Sequence, residues 1–200
     1  MSDRALPRTA AALAELRRAR LPRSWYQRDV VTVARELVGC VLVHRQRAGI
    51  IVETEAYGGP EDRASHARFG PTPRAEVMFR AGGLAYVYLC YGIHEMFNVV
   101  TGPAGRGEAV LIRAIAPHAG LPDDVAIGRG PGKVTTALGL DRRHDRRDLS
   151  RGALFVAAAP ASPPELGVGP RVGVAYAGEH WASQPLRFWW RDHPAVSKAR

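Results

Sequence analysis

The amino-acid sequence predicts a single α+β domain. Its 200 residues are a usual length for one domain. An apolar fraction of 46% and a charged fraction of 24% are typical of a chain that folds around a core, and they exclude a wholly disordered protein. Many short apolar and β-branched segments are mixed along the chain with two or three helical ones, which indicates one mixed α+β domain.

Residues 1–23 differ in composition from the rest of the chain. They mix alanine and leucine with basic residues and contain no aromatic side chain. We expect a flexible basic arm that does not join the core, since chain ends are often poorly ordered. A short helix over Thr9–Arg20 is the alternative. The folded domain is then expected to span residues 24–200, with its core beginning at Trp25.

The domain is expected to begin with a helix, two strands and a loop. Asp29 is a good N-cap and Gly39 a good C-terminal stop for an amphipathic helix over residues 30–38. A polar turn that ends in Gly49 then joins two strands, and a long loop rich in glycine, proline and charge follows them. These strands and the loop are predicted at Val41–His44, Ile50–Tyr57 and Gly58–Thr72.

The second half predicts a hairpin, further strands and one more helix. Aromatic and β-branched segments on both sides of Gly92–Glu95 are typical of a β-hairpin. Gly130-Pro131-Gly132 begins a helix that ends near Leu138 and leaves free backbone N–H groups beside Lys133. The strands are expected at Leu84–Tyr91 and Met96–Thr101 in the hairpin, then at Ala109–Ile115, Leu154–Ala157, Arg171–Tyr176 and Leu186–Trp190.

The chain is strongly basic, with a formal net charge of +9. Only Lys133 and Lys198 are lysines, and the other basic residues are arginines, whose planar side chains suit bidentate contacts with phosphate. This balance indicates a polyanionic partner such as nucleic acid. A composition bias of the whole genome would produce the same count, so that alternative stays open.

Cysteine use and hydropathy indicate the compartment. Cys40 and Cys90 are far apart within apolar segments, which predicts buried thiols in a reducing compartment rather than a disulfide framework or a zinc site. No apolar segment approaches the ~20 residues of a membrane helix, and the N-terminus lacks the apolar segment of a secretory signal. We therefore expect a cytoplasmic protein that is nucleoid-associated if its source is prokaryotic.

Two glutamates are candidates for acid–base chemistry. Glu53 and Glu55 are two residues apart on a predicted strand, so both side chains should point to the same face. Mutual repulsion and burial would raise the pKa of either one toward that of a useful general base. The alternative is a solvated polar face, with Val52 and Thr54 turned inward.

Histidines and tyrosines provide two weaker signals. His66 and His94, with neighbouring acidic residues, could form a metal site, although no helix-borne histidine pair with ligand spacing is present. Tyr86 and Tyr88 share one strand face, and Tyr91 lies at the predicted hairpin end, where a tyrosine can wedge between bases. Ordinary core and surface tyrosines explain the same pattern.

Taken together, these segments resemble the alkyladenine (3-methyladenine) DNA glycosylase family. The resemblance runs in collinear order from about Val30 to Trp190. The matching segments are Ile51-Val52-Glu53-Thr54-Glu55-Ala56-Tyr57, Gly59-Pro60-Glu61-Asp62 with His66, Thr72-Pro73-Arg74 with Met78-Phe79, Tyr86-Val87-Tyr88 with Tyr91-Gly92, Asn98, Val110-Leu111-Ile112-Arg113-Ala114, Gly130-Pro131-Gly132-Lys133 and Arg171-Val172-Gly173-Val174.

The resemblance implies a role for individual residues. Glu55 would be the catalytic base beside a water that attacks the sugar C1′, and Arg113 and the backbone carbonyl of Val172 would help to hold that water. Tyr91 would fill the gap that the flipped base leaves in the duplex. The base pocket would be lined by Tyr57, His66, Tyr88 and Asn98, and phosphate contacts are expected at Thr72, Arg74 and Lys133.

The family fold would be one α+β domain with a curved antiparallel β-sheet, surrounding helices and a protruding hairpin that wedges into DNA. The implied activity is base-excision repair, in which a damaged purine is flipped from duplex DNA and hydrolysed off without strand cleavage. The expected partner is duplex DNA that contains damaged purines. The protein is expected to be a monomer, with no membrane, cofactor or metal. A non-catalytic nucleic-acid-binding domain is the alternative, but Glu55 and Arg113 together favour the enzyme.

Overall fold

One antiparallel sheet organises the residues that the computed structural model describes, which are 6–159, 162 and 164–198. Over these residues its eight strands are β1 (Val41–His44), β2 (Arg47–Tyr57), β3 (Ala85–Cys90), β4 (His94–Thr101), β5 (Glu108–Ala119), β6 (Leu154–Ala157), β7 (Leu166–Gly169) and β8 (Arg187–Trp190). The strand order is β3-β4-β5-β2-β1-β6, and β8 pairs with both β2 and β7. Strand β2 thus has β5 along one edge and β1 and β8 along the other.

The long strands β2 and β5 give the sheet its curvature. Their pairing contains register shifts next to Glu53, between Ile51 and Glu53 and between Glu53 and Thr54. Such irregularities bend the backbone and increase its twist. The predicted fold class, one α+β domain with a curled antiparallel sheet, is confirmed.

Helices cover the sheet, and the predicted ones begin and end where their caps place them. Asp29 caps the helix over residues 30–37 by accepting a hydrogen bond from the backbone N–H of Thr32 over 2.8 Å. Gly139, with a φ of 66°, ends the helix that Pro131 begins. The helices of the described residues are α1 (Leu6–Arg18), α2 (Arg23–Tyr26), α3 (Val30–Leu37), α4 (Pro131–Leu138) and α5 (Glu179–Ser183).

The N-terminal segment differs from the expected flexible arm. Residues 1–5 lie outside the described part, but residues 6–23 contain α1 and the start of α2. Leu13 and Leu16 of α1 are buried against a cluster that includes Val43 and Phe155. Leucines three residues apart share one face of a helix, so this segment can bury an apolar side that its many basic residues obscure in the sequence.

Near the C-terminus, the strand predicted at Arg171–Tyr176 is wrong, and one observed strand was not predicted. Residues 171–174 form a loop, and Ala175–Ala177 is a short 3-10 turn. Gly173 has a φ of 75°, which is incompatible with an extended strand. The strand that was not predicted is β7. Its Gly167 packs so closely against Trp189 that a Cβ atom at this position would come within 2.2 Å of the ring.

Within the described residues, no helix is long and apolar enough to cross a membrane.

Candidate active site

Two carboxylates are buried at the centre of the sheet. Glu53 and Glu55 on β2 are both 0% exposed. Arg113 comes from β5, along one edge of this segment, and Arg187 from β8, along the other. Both carboxylates contact Arg113, so the prediction that they share one side of the strand is confirmed, and the alternative of a solvated polar face is wrong.

The guanidinium group of Arg113 links the two carboxylates. Its Nε donates to Glu53 Oε1 over 2.9 Å, and its Nη1 lies 3.3 Å from Glu55 Oε1. Its Nη2 donates to the hydroxyl oxygen of Ser197 over 3.3 Å. Arg187 adds a second cation, with its Nε 2.7 Å from Glu53 Oε1. Two arginines therefore face two glutamates, and the charges of these four side chains balance only when both glutamates are ionised.

Glu55 is held by neutral donors as well as by Arg113. Its Oε1 accepts the backbone N–H of Val172 over 2.7 Å, and its Oε2 accepts the hydroxyl of Tyr57 over 2.9 Å. Burial raises the pKa of Glu55, while Arg113, the Val172 N–H and the Tyr57 hydroxyl oppose that rise. The resemblance implies a role for the Val172 carbonyl, whereas the contact seen here is made by its N–H group.

An aromatic cavity opens beside Glu55. Tyr57 connects the two, because its hydroxyl donates to Glu55 while its side chain lines the cavity. All four residues expected to form a base pocket line this cavity: Tyr57, His66, Tyr88 and Asn98. The side-chain amide of Asn98 donates to the backbone carbonyl of Tyr86 over 3.1 Å, which fixes its orientation. The remaining walls are formed by Ala64, Met78, Tyr86, Ala109 and Tyr176.

His66 is a neutral wall of the cavity. Burial lowers its pKa to about 4, and the positive charge of Arg74 acts in the same direction. Its Nδ1 lies 2.8 Å from the Tyr86 hydroxyl, and its ring packs edge-on against Tyr88 with centroids 4.6 Å apart. At neutral pH the cavity therefore presents aromatic faces and no positive charge from this histidine.

The turn between β3 and β4 exposes two apolar side chains, Tyr91, which is the predicted DNA wedge, and Ile93. Tyr91 is 91% exposed, with a φ of 49°, and Ile93 is 74% exposed. A tyrosine held at the end of a hairpin is free to enter a base stack. Tyr91 is thus exposed to solvent, and its insertion into DNA stays a prediction.

The three residues expected to contact phosphates differ in their surroundings. Arg74 is exposed, and its guanidinium carbon lies 4.8 Å from the ring centre of Tyr88. The hydroxyl of Thr72 accepts the N–H of Ala75 as a local cap. Lys133 is exposed, and its ammonium group donates to the carbonyl of Ala126 over 3.1 Å. The structure thus brings Arg74 to the cavity wall, where it donates to the carbonyl of Leu89 over 3.3 Å, while Thr72 and Lys133 make hydrogen bonds to nearer neighbours in the chain.

The thiols and the proposed metal ligands have no common site. Cys40 is buried, which raises its pKa to about 11, and Cys90 is half-buried. Among the residues that the structure describes, no three histidine, cysteine, aspartate or glutamate side chains gather as a metal site requires. His66 instead lines the aromatic cavity.

A second buried ion pair, between Arg171 and Asp62, packs against the cavity wall at Tyr57. Arg171 makes two contacts with Asp62, at 2.5 and 3.0 Å, and donates to the carbonyl of Ala56 over 3.0 Å. Its guanidinium carbon lies 4.7 Å from the ring centre of Tyr57. Both charged residues belong to the segments that resemble the family, although the sequence pattern assigns them no role. Because Arg171 precedes Val172 in the chain, this pair fixes both Tyr57 and the N–H donor to Glu55.

Arg187 and Ser197 were not predicted by sequence reasoning. They contact Glu53 from positions 134 and 144 residues away along the chain. No local spacing or motif connects residues at such separations, so the sequence carries no signal for these contacts.

Comparison with known proteins identifies the family of this chain. The family model of methylpurine-DNA glycosylase matches residues 24–194. A protein of Anaeromyxobacter dehalogenans (strain 2CP-1) is 53% identical over 184 residues, which cover 90% of this chain and 86% of that protein. A protein of Myxococcus xanthus (strain DK1622) is 52% identical over 185 residues, which cover 89% of this chain and 93% of that protein. A protein of Legionella pneumophila (strain Corby) is 44% identical over 185 residues, which cover 90% of this chain and 98% of that protein.

All three relatives bear the name "Putative 3-methyladenine DNA glycosylase". The family match covers most of the chain, and the resemblance carried by the sequence motifs is confirmed. The chain belongs to the methylpurine-DNA glycosylase family.

Proposed function

We propose that this protein is a monofunctional DNA glycosylase that removes alkylated or deaminated purines from duplex DNA. The family and the names of the relatives support a DNA glycosylase for alkylated bases. The damaged nucleotide is flipped into the aromatic cavity, and Glu55 takes a proton from a water as its oxygen bonds to the sugar C1′. The N-glycosidic bond breaks, the base leaves with the bonding electrons, and an abasic site remains. The protein acts as a monomer on chromosomal DNA.

The position of Glu55 is the observation that supports this mechanism best. A fully buried carboxylate is costly unless it is paired and hydrogen-bonded, and Glu55 has both an arginine and two neutral donors. Because its pKa is raised, it accepts a proton more readily than an exposed glutamate would. A domain that only bound DNA would have no use for such a group beside an aromatic cavity.

The walls of the cavity suit a cationic base. A purine alkylated at N3 or N7 carries a positive charge, which is attracted by aromatic faces with about 0.5–2 kcal/mol each. Tyr57 and Tyr88 offer such faces, and the neutral His66 does not repel the charge. Flipping costs a few kcal/mol and is least costly for damaged, poorly paired bases, which adds selectivity.

The direct test is release of free base from defined duplexes, each containing one 7-methylguanine, 3-methyladenine, hypoxanthine or ethenoadenine. We expect release from at least the alkylated purines and none from an unmodified duplex of the same sequence. Chromatography of the free bases measures the result and ranks the lesions. Tight binding to all duplexes without release of any base would favour the non-catalytic nucleic-acid-binding alternative.

The product should be an intact abasic strand. A glycosylase that also cuts the backbone attacks C1′ with an amine. Lys133 is exposed and donates to a backbone carbonyl, Lys198 is also exposed, and neither lines the cavity. Borohydride should therefore trap no enzyme–DNA adduct, and strands should break only after alkali. A trapped adduct would show that an amine rather than water is the nucleophile.

Binding to DNA should depend strongly on salt. A chain with a net charge of +9 displaces counterions from the DNA backbone, and about 4–6 neutralised phosphates would give a slope of log K against log salt near −4 to −5. Arg74→Ala should reduce the size of this slope by about 1, whereas Arg191→Ala, which removes a charge already paired with Glu165, should change it less. Fluorescence anisotropy at several salt concentrations measures the slope, and a flat response would contradict the proposed basic surface.

A further inference from the structure

Ser197 connects the C-terminal segment to the buried charges. Its backbone N–H donates to Glu53 Oε2 over 2.7 Å, and its hydroxyl donates to Glu53 Oε1 over 2.9 Å. The hydroxyl oxygen also accepts from Arg113 Nη2 over 3.3 Å, and the carbonyl oxygen accepts from Arg187 Nη2 over 3.4 Å. Every polar group of Ser197 is therefore engaged with this cluster, although the residue lies beyond the segment that the family model matches.

Packing holds Ser197 in this position. The preceding Ala195 is 0% exposed and lies in an apolar cluster with Val52 and Ala114. These two residues are the chain neighbours of Glu53 and Arg113. The segment around Ser197 is thus packed against the same two strands that carry the charged pair.

The contacts of Arg113 show what Ser197 can do for the reaction. Each of the three guanidinium nitrogens has its own partner: Nε binds Glu53, Nη2 binds Ser197, and Nη1 faces Glu55. A planar guanidinium group is fixed in orientation when two of its nitrogens are held. The first two contacts therefore determine where Nη1 lies.

We propose that Ser197 is a positioning residue that holds the guanidinium group of Arg113 against Glu55. The proposal rests on the proposed role of Glu55 as the base that activates water. Ser197 touches neither the cavity nor Glu55 in the structure, so it acts through Arg113.

The expected effect of losing this contact follows from the groups around Glu55. Glu53 and Tyr57 face it from its own strand, Arg113 from β5, and Arg187 from the paired position on β8, while the loop at Val172 contributes an N–H group. Arg113 is the strongest of the groups that oppose the burial-driven rise in the pKa of Glu55. A less well-held Arg113 would let that pKa rise further, so that ionised Glu55 would become available only at higher pH.

Single-turnover excision of 7-methylguanine across pH tests the proposal, because this base is already cationic and needs no protonation. Ser197→Ala removes the hydroxyl and keeps the N–H donor. We expect the acid limb of its rate profile to move up by about half a pH unit or more, which lowers the rate on that limb about threefold. Ser197→Thr, which restores a hydroxyl, should return the limb to the wild-type position, and Ser183→Ala, at an exposed serine, should leave it unchanged.

The possible outcomes separate this proposal from the proposed function. An acid limb of Ser197→Ala that coincides with the wild-type limb overturns the positioning role, even if the melting temperature or the plateau rate falls. In that case Ser197 contributes only to folding, and the role of Glu55 still holds. No base release by the wild-type protein would instead overturn the proposed function, and with it the inference about Ser197.

Discussion

Glu55→Gln is expected to lower the single-turnover rate of base release by about 10²–10⁴-fold, the usual contribution of a general base. Glutamine keeps the size of the side chain. Its one carbonyl oxygen can accept the N–H of Val172, whose nitrogen lies 2.7 Å from Glu55, and its amide group can donate to the hydroxyl oxygen of Tyr57, 2.9 Å from Glu55. It cannot take a proton from water. Binding to a duplex that contains a lesion should therefore stay close to that of the wild type, and the loss should appear in the rate alone.

The same substitution should not reduce stability near neutral pH. The pKa of Glu55 is higher in the folded protein than in the unfolded chain because of burial. Between those two values the folded state binds more protons, so stability falls as pH rises through that window. Above this pH window, ionised Glu55 therefore opposes folding. Glu55→Gln should melt at a temperature no lower than that of the wild type.

Glu61→Gln is the matched control, since it removes an exposed carboxylate from the loop that follows β2. Its excision rate and its acid limb should equal those of the wild type. If Glu55→Gln retained near-normal excision, Glu55 would not be the base, and Glu53 would become the candidate.

Glu53→Gln is expected to act mainly on folding, with a loss of about 3–5 kcal/mol, because it leaves the buried Arg187 without its carboxylate and Arg113 with Glu55 alone. Glu53 accepts four hydrogen bonds, from Arg113, from Arg187 and from the N–H and hydroxyl of Ser197. The amide N–H groups of glutamine would point at some of these N–H and O–H groups, so those hydrogen bonds could not form. At about 2–4 °C per kcal/mol for a chain of this length, the melting temperature should fall by roughly 6–20 °C.

Thermal unfolding followed by circular dichroism measures this difference. Glu76→Gln is the control, because Glu76 pairs with Arg80 and Arg146 at the surface, where ion pairs contribute little. It should melt close to the wild type. A Glu53→Gln protein that melted as the wild type does would contradict the structural role assigned to this carboxylate.

The predicted elements that proved accurate depend on interactions between near neighbours in the chain. Asp29 caps α3 through a residue three positions away, and Gly139 ends α4 through its own backbone angle. Alternation along a strand likewise placed Glu53 and Glu55 on one side of β2. The strand expected at Arg171–Tyr176 failed for a related reason, because alternating residues there resemble a strand while Gly173 adopts a positive φ.

The N-terminal segment was misinterpreted because burial is not a local property. Its many basic residues favour solvent exposure. Leu13 and Leu16 nevertheless form a narrow apolar stripe on one face of the helix, and this stripe is enough to pack against the core. Whether such a stripe is used depends on a complementary apolar surface, which β1 and β6 provide from residues far along the chain.

Length, local periodicity and collinear motifs were enough to predict the α+β class, the family and four of the side chains that line the cavity, Tyr57, His66, Tyr88 and Asn98. The difference between Glu53 and Glu55 is visible in the tertiary structure alone. Glu53 is enclosed by Arg187 and Ser197, while Glu55 is bound by the Val172 N–H and by the hydroxyl of Tyr57, which lines the cavity. The charge and proton affinity of a buried carboxylate are set by the donors around it, and here most of those donors come from segments far along the chain.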